Sequence, residues 1–192
     1  MASLPVSPLT EEEYLRLERA ASYRSEFTGG KMYAMPGGSI RHSRLIARLQ
    51  PHLENQLDGT TCRTFNSDAR IRVPTSGEHY YPDISVVCGP TQTHEGSADT
   101  LTNPLLLVEV LSPSSIHYDR IVKFAQYRQI PSLRDYLIVH TKAVFVKHWS
   151  RQSDGNWNSH EYQGTEAYVA LPNLNCSLSL AKIYQGVMDE PT

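Results

Sequence analysis

Several kinds of chemistry are absent from this sequence. It holds no GxxxxGK[ST] phosphate loop, no GxSxG nucleophile turn and no HExxH zinc helix, since His94-Glu95 is followed by Gly-Ser-Ala. The glycines form no dinucleotide fingerprint after a strand, so the common nucleotide, serine-hydrolase and zinc-protease readings fall away. Cysteine is scarce: Cys62, Cys88 and Cys176 lie far apart, odd in number, with no CxxC or Cys/His cluster. That pattern argues against structural zinc and for a reducing cytoplasm. Long apolar runs are missing as well. LLLVEVL at 105–111 is interrupted by Glu109 and is too short to span a bilayer. The opening MASLPVSPLTEEEYL has neither a basic segment nor an apolar core of the secretory kind, so a cytoplasmic protein with no membrane association is expected. Charge is close to balanced, at −2. This speaks against a purely non-specific nucleic-acid binder, but not against an enzyme that meets DNA through a local basic surface and a bound cation.

What is present is an ordinary globular composition: 192 residues, 40% apolar and 20% charged. One domain over 1–192 is expected, and a chain of this length buries roughly 70% of its unfolded surface, enough for a core without staples. There is no repeat and no low-complexity segment. LTEEEYLRLERA reads as a helix over 9–20, with Thr10 as cap and three glutamates in the first turn. Tyr23 to Met35 reads as two strands about a Thr-Gly-Gly turn. After Pro36-Gly37-Gly38, Ser39 caps a helix over 40–57, in which Ile40, Leu45, Ile46, Leu49, Leu53 and Leu57 keep helical spacing and form the core face. Strands are expected at 61–66, 69–74, 80–88 and 104–111, with a polar loop at 89–103, a helix over 116–129, and strands at 134–140, 143–150 and 157–163. The order predicts an α+β fold: a mixed sheet flanked by helices, with an added N-terminal helix and hairpin and with C-terminal strands.

Two carboxylates break the pattern. LLLVEV reads as a central strand apolar on both faces, and Glu109 sits inside it. An ionised glutamate there needs a partner or a metal. If 80–88 and 104–111 are antiparallel neighbours, Asp83 lies beside Glu109, and two adjacent carboxylates repel unless a divalent cation neutralises them. Oxygen donors of this kind suit Mg²⁺ or Mn²⁺ better than zinc. Taken singly, Asp83 after Pro82 is a turn residue and Glu109 pairs with a buried cation; it is the combination that points to a site. In the next helix Asp119, Lys123 and Tyr127 share a face. Lys123 either forms an exposed pair with Asp119 or reaches into the carboxylate pocket, where it can stabilise charge on a phosphate. By spacing alone, Glu26 in SEFTGG and His42 between Arg41 and Arg44 read as surface residues.

Over residues 9–187 the chain resembles the Uma2 family, a branch of the PD-(D/E)XK restriction-endonuclease-like superfamily. The resemblance is carried by TEEEYL, YRSEFTGGKMYAMPGGSIRHSRL, YYPDISVV, LLLVEVLSPSS and DRIVKFAQYRQIPSLRDYLIV. It implies a restriction-endonuclease-like core in which Asp83 is the PD aspartate and Glu109 the second metal ligand, helped by the backbone carbonyl of Val110. Leu111 stands where the usual lysine would be, so the resemblance makes Lys123 its substitute. It also brings Glu26 and His42 into the site. Phe27 and Thr28 depart from the family's aliphatic-acidic pair, and Lys31 stands where relatives often carry glutamate.

The activity so implied is Mg²⁺-dependent (or Mn²⁺-dependent) hydrolysis of DNA phosphodiesters. Asp83 and Glu109 would hold the metal, Lys123 would orient or deprotonate the water, and a homodimer would cut both strands. The alternatives are a catalytically silent nuclease fold that binds nucleic acid or a protein partner, and a hydrolase of a smaller phosphoester.

Overall fold

The computed structural model describes residues 8–35, 37–111 and 122–191. The chain opens with α1 (Glu11–Ala20), whose cap is reciprocal: the Thr10 hydroxyl accepts from the Glu13 amide and the Glu13 carboxylate accepts from the Thr10 amide. β1 (Ser25–Thr28) and β2 (Lys31–Ala34) follow as a hairpin. Gly29 and Gly30 supply the left-handed turn, at φ 57° and 72°. Ser39 caps α2 (Ile40–Leu57), accepting from the His42 amide. On α2 the residues four apart, Leu45, Leu49, Leu53 and Leu57, are buried, each worth about 2 kcal/mol of burial. Ile40 was expected on that face but is 58% exposed: five residues before Leu45, it lies about 140° around the helix from it, off the leucine stripe.

The strands that follow form two sheets. β3 (Cys62–Asn66), β6 (Ile84–Cys88), β9 (Leu106–Leu111), β10 (Asp135–His140), β11 (Phe145–Arg151) and β12 (Trp157–Gln163) make the central sheet, in the order β12-β11-β10-β9-β6-β3. β9 and β10 run parallel and the other neighbours antiparallel, so the sheet is mixed. A second sheet takes β1 and β2 together with β4 (Arg70–Arg72), β5 (His79–Tyr80), β7 (Thr93–His94) and β8 (Ser97–Leu101). The expected strand 80–88 is therefore two strands. β5 ends in the second sheet, Tyr81-Pro82-Asp83 crosses over, and β6 begins the central sheet. Pro82 suits that crossing because it cannot donate to a ladder. The expected loop 89–103 is corrected too. It folds into the β7–β8 hairpin, and β8 pairs parallel with β4, which a short polar stretch without apolar alternation does not announce.

The central sheet is covered on both faces. One face, with Val108 and Val110, packs against α2, the small hairpin β13 (Tyr168–Leu171) and β14 (Cys176–Ser179), and α4 (Leu180–Ile183). The other, with Leu107, Leu111 and Ile138, packs against Tyr80 and against Tyr127 of the short helix α3 (Phe124–Tyr127). Of the expected helix over 116–129, residues 116–121, Asp119 among them, lie outside the described residues, and the described part holds α3.

The cysteine reading is corrected in one respect. Cys62 and Cys88 are register partners across β3 and β6 and form a disulfide, with Cα atoms 3.9 Å apart, while Cys176 is free and buried. Twenty-six residues of sequence separation hide a pair that the antiparallel register places side by side. No described helix is long and apolar enough to cross a membrane.

Candidate active site

The crossing Tyr81-Pro82-Asp83 joins the two sheets, and the acidic residues gather beside it. Asp83 immediately precedes β6, and Ile84 of β6 is the register partner of Val108. One further antiparallel step sets Asp83 opposite Glu109. The Val110 amide donates to Asp83 Oδ2 at 2.7 Å, and His42 Nε2, from the first turn of α2, lies 3.3 Å from Asp83 Oδ1. A strand residue's N–H and C=O project toward the same neighbour, so the Val110 carbonyl points to the Asp83 side of β9. The next carbonyl, of Leu111, points the other way and accepts from the Thr141 hydroxyl at 2.8 Å.

Glu109 is 4% exposed within β9. Its Oε1 accepts from the Tyr127 hydroxyl at 2.8 Å and from Lys123 Nζ at 3.1 Å, both reaching in from α3 and the residue before it. Glu26 arrives from the other sheet: its Oε1 lies 2.8 Å from Lys123 Nζ and accepts from the Tyr81 amide at 3.3 Å. Lys123 therefore bridges two buried carboxylates carried by different sheets. Burial, together with the nearby carboxylates of Glu109 and Glu26, pushes the Tyr127 phenol well above its ordinary range, so it acts as a neutral donor.

All five side chains expected at the site on sequence and resemblance thus gather around one crossing: Asp83, Glu109, Lys123, Glu26 and His42. The surface reading of Glu26 does not hold, since it is 5% exposed and faces Lys123. Nor does that of His42, whose side chain is 17% exposed against Asp83. Three participants were missed. Tyr127 had a signal, its spacing of four from Lys123. Gly38 had a weaker one: a Cβ there would sit 2.4 Å from His42 Nδ1, so glycine is what leaves room for the imidazole beside Asp83. The Tyr81 amide had none, because it depends on which backbone group the crossing turns toward Glu26.

The donor set can be tested against a divalent ion. No group of three or more His, Cys, Asp and Glu side chains among the described residues is arranged to hold a metal, which rules out an all-protein cage of the zinc type there. Two carboxylates and a backbone carbonyl are oxygen donors of the kind Mg²⁺ takes, since it keeps several of its waters and uses only one or two carboxylates from a protein.

Comparison with known proteins gives three findings. A family model described as "Uma2: Putative restriction endonuclease" matches residues 11–181. Two uncharacterised proteins of Synechocystis sp. are similar. One is 37% identical over 185 residues, spanning 96% of both chains, and the other is 34% identical over 161 residues, spanning 84% of this chain and 91% of its own. Among solved structures, a protein of Anabaena variabilis described as "a putative nuclease belonging to DUF820" superposes with a TM-score of 0.78 at 19% identity, covering 94% of this chain and 99% of that one. The chain has a restriction-endonuclease-like fold.

Proposed function

The chain belongs to the Uma2 family, and from that premise we propose that it is a nuclease, a metal-dependent endodeoxyribonuclease whose site is the Asp83–Glu109–Lys123 cluster. The observation that carries this is the convergence of three buried ionic side chains on one crossing: Glu109 and Glu26 share the Lys123 ammonium, with Asp83 opposite Glu109, one step beyond the Ile84–Val108 pair. Asp83, Glu109 and the Val110 carbonyl are the groups that would hold Mg²⁺ or Mn²⁺. Bound there, the ion supplies Lewis acidity toward a phosphate oxygen and makes water a better nucleophile at neutral pH.

The protein's own residues do the rest. Asp83 is oriented by the Val110 amide and His42, so its carboxylate is pre-set before substrate arrives. Tyr127 and Lys123 fix Glu109 from the helical side. Lys123, held at 2.8 and 3.1 Å from two carboxylates, serves as a charged ammonium that offsets negative charge on the scissile phosphate. Two anionic neighbours favour that form over the neutral amine a base requires. Cutting both strands of a duplex calls for two such sites, so the working form proposed is a homodimer.

The test is incubation of purified protein with supercoiled and linear DNA in Mg²⁺, Mn²⁺ or EDTA, beside Asp83→Ala and Lys123→Ala. Metal-dependent nicking that disappears in both variants is expected. Cutting that persists in Asp83→Ala, or in EDTA, would sink the assignment. Absence of cutting with DNA binding retained would turn the reading to a silent nuclease fold.

A further inference from the structure

We propose that one face of α2, carrying Arg41, Arg44 and Arg48 with Lys182 beside it, is a track for the phosphate backbone of duplex DNA leading away from the site. This rests on the nuclease reading above and names the surface by which that site would hold its substrate.

The helix sets the row. Arg41, Arg44 and Arg48 are spaced by three and four residues, so they share one face of α2. That face looks toward α4 and the segment after it. Arg48 Nε and Nη2 donate to the Lys182 carbonyl at 3.1 and 2.9 Å, and Arg48 Nη2 also donates to Gln185 Oε1. Arg41 Nε and Nη2 donate to the carbonyls of Glu190 and Met188 at 2.5 and 2.9 Å. Carbonyls carry no net charge, so these bonds hold two guanidiniums in place without neutralising them, and they leave Nη1 of each for another acceptor. Arg44, between them, is exposed and makes no hydrogen bond or ion pair among the described residues.

The charge is uncompensated. Among the described residues, carboxylates pair with Arg24, Arg70 and Arg72 but with none of these three, although Asp189 and Glu190 lie at the end of the same segment. Lys182 of α4 adds a fourth, exposed cation. Their field reaches His52, four residues beyond Arg48: burial, together with the charges of Lys182 and Arg48, lowers its imidazole below the usual range. In a chain of net charge −2 this is a local cationic strip, complementary to a row of phosphates.

Place and spacing select the occupant. His42, next to Arg41, has its Nε2 3.3 Å from Asp83 Oδ1, so the row starts at the site. At a rise of about 1.5 Å per residue it spans about 10 Å from Arg41 to Arg48. That is close to three phosphate steps of about 3.4 Å along one strand of a duplex. α2 carries no Phe, Tyr or Trp, hence no platform on which the bases of a single strand would stack. Its contacts are therefore to the backbone and independent of sequence. A membrane surface needs an apolar face beside the basic one, and the apolar face of α2 is buried in the core.

The measurement is fluorescence anisotropy of two labelled duplexes of unrelated sequence over a range of salt, in EDTA so that nothing is cut. Arg44 is the residue to change, because it holds no other element in place. Arg44→Gln is expected to weaken both duplexes about five- to tenfold at about 0.1 M salt and to flatten the log–log salt slope by about 0.9, with Arg44→Lys retaining both. Arg63→Gln, which removes an exposed charge on β3, should stay within about twofold of wild type, separating the track from overall charge. Arg44→Gln binding like wild type, Arg63→Gln losing as much, or a loss on one duplex only would overturn the track. So would a loss confined to phosphatidylserine vesicles assayed beside the duplexes. The two readings fail separately. Duplex binding that depends on Arg44, without cutting in Mg²⁺ or Mn²⁺, overturns the hydrolase and leaves the track. A metal-dependent nuclease indifferent to Arg44→Gln does the reverse.

Discussion

Replacing Lys123 by methionine keeps the length of the side chain and removes the ammonium that lies between Glu26 and Glu109. All three residues are at most 5% exposed, so neither carboxylate can turn to bulk water for compensation. Removing one partner of a buried ion pair costs about 3–5 kcal/mol. For a chain of this size each kcal/mol lowers the melting temperature by about 2–4 °C, so a fall on the order of 10 °C is expected. The loss has a pH signature. Without the ammonium, the two carboxylates hold a proton more tightly in the folded protein than in the unfolded chain. The folded state then takes up that proton first, and the penalty shrinks as pH falls. Urea unfolding of wild type and Lys123→Met at pH 8 and pH 5 measures it, with the larger difference expected at pH 8. Glu26→Gln in the Lys123→Met background should recover part of the loss by removing one of the two buried negative charges. A difference below about 1 kcal/mol at pH 8, or one that does not change with pH, would refute the bridge between the two sheets.

Two further outcomes test other parts of the fold. His79 is fully buried, and burial pushes its imidazole down to about 4, against the pull of Glu11 at 2.8 Å. Because the unfolded chain protonates first, stability should fall as pH drops from about 6.5 to 4, by up to about 3 kcal/mol. The Glu11 carboxyl, held down to about 2 chiefly by Arg72, extends acid sensitivity below pH 4.5. In urea titrations His79→Phe should lose the upper window and keep the lower; an unchanged slope above pH 4.5 would contradict this. The disulfide predicts that denatured protein shows one reactive thiol before reduction and three after, the latter being all the cysteines of the chain. Closing a loop of 26 residues is worth about 3.5 kcal/mol in the chain-entropy account, so the urea midpoint should drop in reductant and Cys62→Ser should not respond to it. Three thiols without reduction would disprove the pairing.

Local signals were legible where one short stretch carries its own physics. Thr10 with Glu13, Ser39 before four leucines at a spacing of four, and Thr28-Gly29-Gly30 each specify a cap or turn from neighbours within a few residues. Glu109 was legible as an anomaly, because an acid inside LLLVEV conflicts with a strand apolar on both faces. The β7–β8 hairpin was not legible. Its two strands are short and polar, and β8 is held by pairing with β4, a contact between residues some thirty positions apart. Nor was the Cys62–Cys88 pairing, which depends on the register of β3 against β6. Ile40 was counted with the leucines and still lies in solvent, because five residues before Leu45 is about 140° around the helix from it, off the buried stripe.

The sequence by itself determined that Asp83 and Glu109 stand at the edge and in the interior of core strands, and that Lys123 and Tyr127 share one helical face, since these follow from periods of two and of 3.6 residues. Spacing did not put Glu26 and His42 with them; the family resemblance did, while only the tertiary structure supplied their contacts and added the Tyr81 amide. Each comes from a different element, and a spacing rule reaches no further than the element it describes. The chain's passage between sheets at Tyr81-Pro82-Asp83 is what closes those distances. A buried ammonium shared by Glu26 and Glu109 exists because two sheets meet there, and no single strand encodes that meeting.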